Sequence, residues 1–117
     1  MEGTFRLQRQ TSRWARFAQV TVRAVAAAES GVRVGPDVAA DDQSGRAEAC
    51  DGAWYALSRL PADARGIVVS VVAIVTAPAD TGPGDVKFAA AHAVWAALGR
   101  QPAQLPWLGE DGNPVFP

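Results

Sequence analysis

Phe17-Ala18-Gln19-Val20-Thr21-Val22-Arg23-Ala24-Val25 decides how this chain folds. Ala18, Val20, Val22 and Ala24 fall on one side of an extended backbone, and Gln19, Thr21 and Arg23 on the other. Period-two alternation is the signature of a strand with one buried face. Upstream, Gly3 to Gln10 repeats the pattern, with Phe5 and Leu7 on one side and Thr4, Arg6, Gln8 and Gln10 on the other. The intervening Thr11-Ser12-Arg13-Trp14-Ala15-Arg16 joins the two as a hairpin. Downstream, Gly31 to Val38 reads as a third strand, with Pro36 ending it or holding it near an edge.

From about Ser44 to Leu60 the period changes. Ala47, Cys50, Trp54, Leu57 and Leu60 lie three or four apart, which predicts one helical face, and Glu48, Asp51, Tyr55 and Arg59 lie off that stripe. Pro61 ends the helix. Ile67 to Thr76 is valine-rich and apolar on both faces, as in a central strand. Residues 77–84 form a loop, Asp85 is placed to cap a second helix, and Phe88, Ala91, Trp95 and Leu98 form its stripe before Gly99 stops it. Trp54 and Trp95 are both expected in the core.

The order β-β-β-α-β-α predicts an α+β domain over residues 1–99. It is a four-stranded, mainly antiparallel sheet with two helices on one face, because two amphipathic helices must bury their stripes against it. Residues 100–117 hold four prolines and form an apolar tail, expected to pack on the body or on a partner subunit. Its Leu105, Trp107, Leu108, Val115 and Phe116 are too apolar to stay in water, and the 67–76 strand has an apolar second face. Both point to a homodimer.

The chain has 117 residues, one domain's worth, with a net charge of −1. Residues 1–33 hold six arginines against two glutamates, a net +4, while the remainder is acidic. No apolar run approaches the roughly 20 residues of a membrane helix. The start, Met1-Glu2-Gly3-Thr4, does not read as a secretory signal. A lone Cys50 makes neither an internal disulfide nor a metal cluster, so a reducing cytoplasm is the expected compartment.

Chemical motifs are sparse. His92 has no second histidine or nearby acid to form a relay and reads as a packing residue. Cys50 lies on an apolar stripe and reads as core rather than nucleophile. The serines lack a nucleophile-elbow context. Asp41-Asp42 in a turn reads as solvated, since a metal site wants more oxygen ligands. No cofactor or metal is expected. Trp14, between Arg13 and Arg16 at a hairpin tip, either stacks on a base or aromatic group of a ligand, or folds back on its own hairpin or packs on a dimer partner.

Glu2-Gly3-Thr4-Phe5-Arg6, a loop, and then Phe17-Ala18-Gln19-Val20-Thr21-Val22-Arg23 resembles the first hairpin of domain IV of elongation factor G. Asp51-Gly52-Ala53 with Ala56-Leu57 is similar to that domain's first long helix, and Gly66-Ile67-Val68-Val69-Ser70-Val71 to its next strand. Asp85-Val86-Lys87-Phe88-Ala89-Ala90-Ala91 and Ala96-Ala97-Leu98 resemble its second helix. The likeness spans about residues 2–99 and implies a fold of the ribosomal protein S5 domain 2-like superfamily. The departures are at the family's two ribosome-reaching tips. The first is glycine-rich there but is Thr11 to Arg16 here. The second carries a histidine and an acidic-serine run there but reads Ala77-Pro78-Ala79-Asp80-Thr81-Gly82-Pro83-Gly84 here. No phosphate-binding glycine-lysine loop occurs, which excludes GTP hydrolysis by that mechanism.

Two functions are expected from a domain separated from its motor. One is a protein that binds and orients a peptide ligand. Small stand-alone proteins of this size act in lanthipeptide biosynthesis, where some form lysinoalanine by adding a lysine amine to dehydroalanine. Orientation alone can accelerate such an addition, by up to roughly 7–11 kcal/mol in favourable cases. The alternative is a ribosome- or RNA-binding factor using the Arg-rich third. For either, alternation puts Arg6, Gln8, Gln19, Thr21 and Arg23 on one face as the ligand-binding residues, with Trp14 and Arg16 at its end.

Overall fold

The computed structural model describes residues 1–38, 42–61 and 66–117. Strands β1 (Glu2–Gln10) and β2 (Ala15–Ala26) pair antiparallel without a break, from Glu2 opposite Arg23 to Gln10 opposite Ala15. The short β3 (Gly31–Val34) leads into helix α1 (Gln43–Ser58), then β4 (Ile67–Val75) and helix α2 (Asp85–Leu98). The sheet order is β1-β2-β4-β3, with β4 antiparallel to β2 and parallel to β3. The architecture is therefore α+β with a four-stranded, mainly antiparallel sheet. A bulge where β2 meets β4 at Thr21/Val22 lets the pairing step past Val72.

The alternation in the sequence sets the core. Leu7 of β1, Ala18, Val20, Val22 and Ala24 of β2, and Val69 and Val71 of β4 are buried. The β2 and β4 residues share one apolar cluster with both helices, so the helices lie on the same face. α2 is covered almost all round, and its Phe88, Ala91 and Trp95 are buried as the stripe predicts. Gly99 takes a left-handed conformation (φ 67°) and ends α2.

α1 corrects the sequence reading. Its buried residues are Gly45, Ala49, Gly52, Ala53 and Ala56, a face turned away from the predicted Ala47–Cys50–Trp54 stripe. Trp54 is 48% exposed and is not core. The reason is closeness: a Cβ on Gly52 would run into the Lys87 carbonyl oxygen and sit 2.9 Å from the Ala90 Cβ of α2. Only small residues fit there, whatever the hydrophobic weight of the other faces. Glu48 and Tyr55, read as off the stripe, both take part in the packing. Glu48 Oε1 accepts from the Gly84 (3.1 Å) and Lys87 (3.3 Å) amides at the start of α2. Asp85 is thus the first residue of α2, not its cap. Asp42 caps α1 by accepting from the Gly45 amide at 3.0 Å, whereas Asp41 lies outside the described residues.

Residues 100–117 include two short strands, β5 (Trp107–Leu108) and β6 (Pro114–Val115), which pair antiparallel. They fold back on the body. The Phe116 ring lies 5.3 Å from that of Tyr55, and Tyr55 Oη donates to the Pro117 carbonyl at 2.8 Å. Among the described residues, no helix is long and apolar enough to cross a membrane.

Candidate functional site

The five strand residues expected to bind ligand do share the open face of the sheet, and they are paired with neighbours across the strands. Arg6 Nε donates to Gln19 Oε1 at 2.8 Å, and Thr4 and Thr21 share a hydroxyl hydrogen bond of 2.9 Å. Arg23 lies 3.8 Å from Glu2, and Gln8 stands opposite Phe17. The face continues onto β4, where Val75 stands opposite Gln19, Ser70 opposite Arg23 and Val68 opposite Val25.

Trp14 and Arg16 are not part of that face. The Trp14 ring packs so closely on the turn of the tail that a Cβ on Gly112 would meet it at 2.5 Å. The ring thus packs on the tail of its own chain, not on its own hairpin as one expectation had it. Arg16 donates to the Asn113 side-chain oxygen and lies 3.7 Å from Asp85, which is fully buried. Burial pushes the Asp85 carboxyl above the usual carboxylate range, against the Gly82 amide and the Arg16 charge. The second loop joins this junction, with Thr81 Oγ1 donating to the Phe17 carbonyl at 2.6 Å and the Asp80 carbonyl accepting from the Phe17 amide at 3.2 Å. Both loop tips are therefore tied to the body and the tail.

A concavity opens instead along the outer side of β1. It has a volume of about 450 Å³, a size suited to a small ligand or a few side chains. Phe5 and Leu7 of β1 and Phe88 and His92 of α2 form its floor, and Pro106, Trp107 and Leu108 of the tail form the far wall. Arg6, Gln8 and Arg9 make the near rim. The floor is an aromatic cluster: His92 stacks on Phe5 at 4.5 Å and lies 4.7 Å from Phe88. Burial lowers the His92 pKa, with the Pro106 carbonyl opposing it, so the ring is neutral near pH 7. Trp107 is 52% exposed and lines the groove.

A second hollow of about 480 Å³ lies at the start of α1, lined by Asp42, Glu48 and the 76–83 loop. One oxygen of each of its carboxylates accepts from backbone amides at a helix start. Burial, reinforced by Asp51, raises the Cys50 thiol pKa, which makes it a poor nucleophile. Among the described residues, no three His, Cys, Asp or Glu side chains converge on a metal position.

Sequence reasoning found Arg6 and Gln8 of the groove and missed the rest. Phe5, Phe88 and His92 carried a legible signal, an inward strand residue and a helical i, i+4 pair. The wall did not, because it exists only once the tail folds back.

No family model and no curated protein matches the chain. Among solved structures, it is similar to a crystal structure of a protein from Thermus thermophilus, with a TM-score of 0.67 and 18% identity. The match covers 80% of this chain and 14% of that one. At this identity the likeness is one of fold: the arrangement recurs as a small part of a much longer chain.

Proposed function

We propose that this chain is a non-GTPase, domain IV-like module that binds and orients a peptide ligand. The match to a small part of a long chain is in keeping with a domain IV-like unit. The observation that carries the peptide reading is the fate of the loop tips. An RNA-reading tip needs an exposed aromatic and uncommitted arginines. Here Trp14 is packed on Gly112, and Arg16 is held by Asp85 and Asn113. Of the two concavities, the β1 groove is apolar below and arginine-rimmed above, which suits a peptide better than a phosphate backbone.

If such a module has an enzymatic task, the chemistry that fits is lysinoalanine formation in a lanthipeptide, in a reducing cytoplasm. A neutral lysine amine adds across the C=C of dehydroalanine, the nitrogen bonding the β-carbon and a proton ending on the α-carbon. The protein's part is to hold the two ends together. We assign the homodimer to the open sheet face, where Val25 and Val75 remain 46% exposed, since the tail's Phe116 is used on its own body.

Parallel titrations of a labelled acidic peptide and a labelled single-stranded RNA test the reading. Saturable binding of the peptide alone supports it, and saturable binding of the RNA alone overturns it. The amine addition conserves mass, so it is read with a dehydroalanine- and lysine-bearing peptide as protein-dependent loss of thiol reactivity.

A further inference from the structure

Resting on the peptide reading, we infer that the ligand binds by strand addition: an extended peptide alternating apolar and acidic residues pairs with the outer edge of β1 and lays its apolar side chains on the Phe5–Phe88–His92 floor.

The backbone geometry supplies the edge. In an antiparallel pair, residues alternate between pointing their N–H and C=O groups at the partner strand and away from it. The phase is fixed at both ends of the hairpin. Met1 and Ala24 exchange both bonds, amide to carbonyl at 2.7 Å and terminal amine to carbonyl at 3.0 Å. At the other end the Thr11 amide donates to the Trp14 carbonyl at 2.8 Å. The register between them is unbroken, so the odd-numbered residues face β2. The N–H and C=O groups of Arg6 and Gln8 therefore point outward, and both residues line the groove. β1 is an edge of the sheet, and β5 pairs only with β6.

The side chains supply the ligand's chemistry. A strand added to β1 would place the side chain opposite Arg6 on the open face and those opposite Phe5 and Leu7 on the helix side. The helix-side positions meet Phe88, His92 and the Trp107 wall and call for apolar residues. The open-face positions meet Arg6, and Arg9 closes the end of the groove, which calls for carboxylates. The same charges argue against a second copy as occupant. β1 paired with its own copy would gather both pairs of Arg6 and Arg9 into a few residues, with Glu2 the one acidic residue on the strand.

The probe is an acetylated heptapeptide alternating glutamate with valine around a central phenylalanine. With saturating probe, the amide protons of Arg6 and Gln8 should exchange more slowly, while those of the buried β2–β4 ladder should not change. N-methylating alternate peptide positions should divide them into two sets. Methylation on the set facing β1 should lower affinity by about tenfold, the worth of one hydrogen bond, and methylation on the other set should have little effect. Gln8→Pro should show a similar loss, because its N–H is not used in pairing with β2 and an edge strand tolerates proline there. The N-methylated peptides give the same readout on the unaltered protein should that variant unfold. If the probe binds but perturbs Thr21 and Arg23 rather than the Arg6 and Gln8 amides, or both methylation sets bind alike, strand addition is wrong and peptide binding stands. If no binding appears at millimolar probe, both fail.

Discussion

The two helices cover the same sheet, yet they meet it on different terms. α2 is buried almost all round by the sheet, by α1 and by the returning tail, and it carries the one fully buried tryptophan, Trp95. α1 buries fully only glycine and alanine, with Tyr55 and Leu57 half-buried beside them, and leaves Trp54 in water. Residue size thus ranks sites poorly here. What decides burial is how near the backbones approach.

Replacing each tryptophan tests that contrast most directly. Trp95→Ala removes a buried ring and the hydrogen bond from its Nε1 to the Ala56 carbonyl (3.2 Å). It should cost about 3–5 kcal/mol, as large-to-small core changes do. Trp54→Ala should change stability by no more than about 0.5 kcal/mol. Denaturant melts of both variants check this, and equal losses would place Trp54 in a core or an interface. The next largest effect is expected at the helix contact. Gly52→Ala would gain about 0.5–1 kcal/mol from backbone entropy in an open helix. Here the added methyl meets the Lys87 carbonyl and Ala90, and overpacking of this kind costs about 1–3 kcal/mol. The variant should be less stable than the parent. A stabilised Gly52→Ala protein would show that the helices sit farther apart.

The same contrast explains what could be read from the sequence. Alternation in β1 and β2 gave the sheet and its polar face, because period two survives any error in register. The α2 stripe was legible because its large residues are also its buried ones. α1 was misread because Trp54 and Leu57 outweighed the quieter series Gly45, Ala49, Gly52, Ala56, whose small size is the signal for close packing. Arg6 and Gln8 were legible from the alternation of β1, and both line the groove. Trp14 and Arg16 left the expected patch, and Trp107 joined the groove, because a proline-rich tail has no periodicity to show where it returns.

The smallest effect expected is on pH dependence, and it probes the flank of α2 that borders the groove. Burial depresses the His92 pKa in the folded protein, so the native state resists a proton that the unfolded chain accepts. The stability tied to the neutral ring is complete above the ordinary histidine value of about 6.5 and is lost as the pH falls below it toward the folded pKa. Asp85 acts with the opposite sign. Its folded pKa is raised, so acidification through the carboxylate range favours the native state. His92→Phe separates the two, since it keeps an aromatic ring against Phe5 and Phe88 and removes the titration. Between pH 7 and pH 5 the parent should lose stability relative to His92→Phe, and above pH 7 the difference should be flat. The Asp85 contribution cancels in this comparison. A bound peptide that lays its apolar side chains over the floor should deepen the loss, because it shields the ring further from water. A difference that stays flat through pH 5 would mean that His92 is no better shielded than an exposed histidine, and that the floor of the groove is wet.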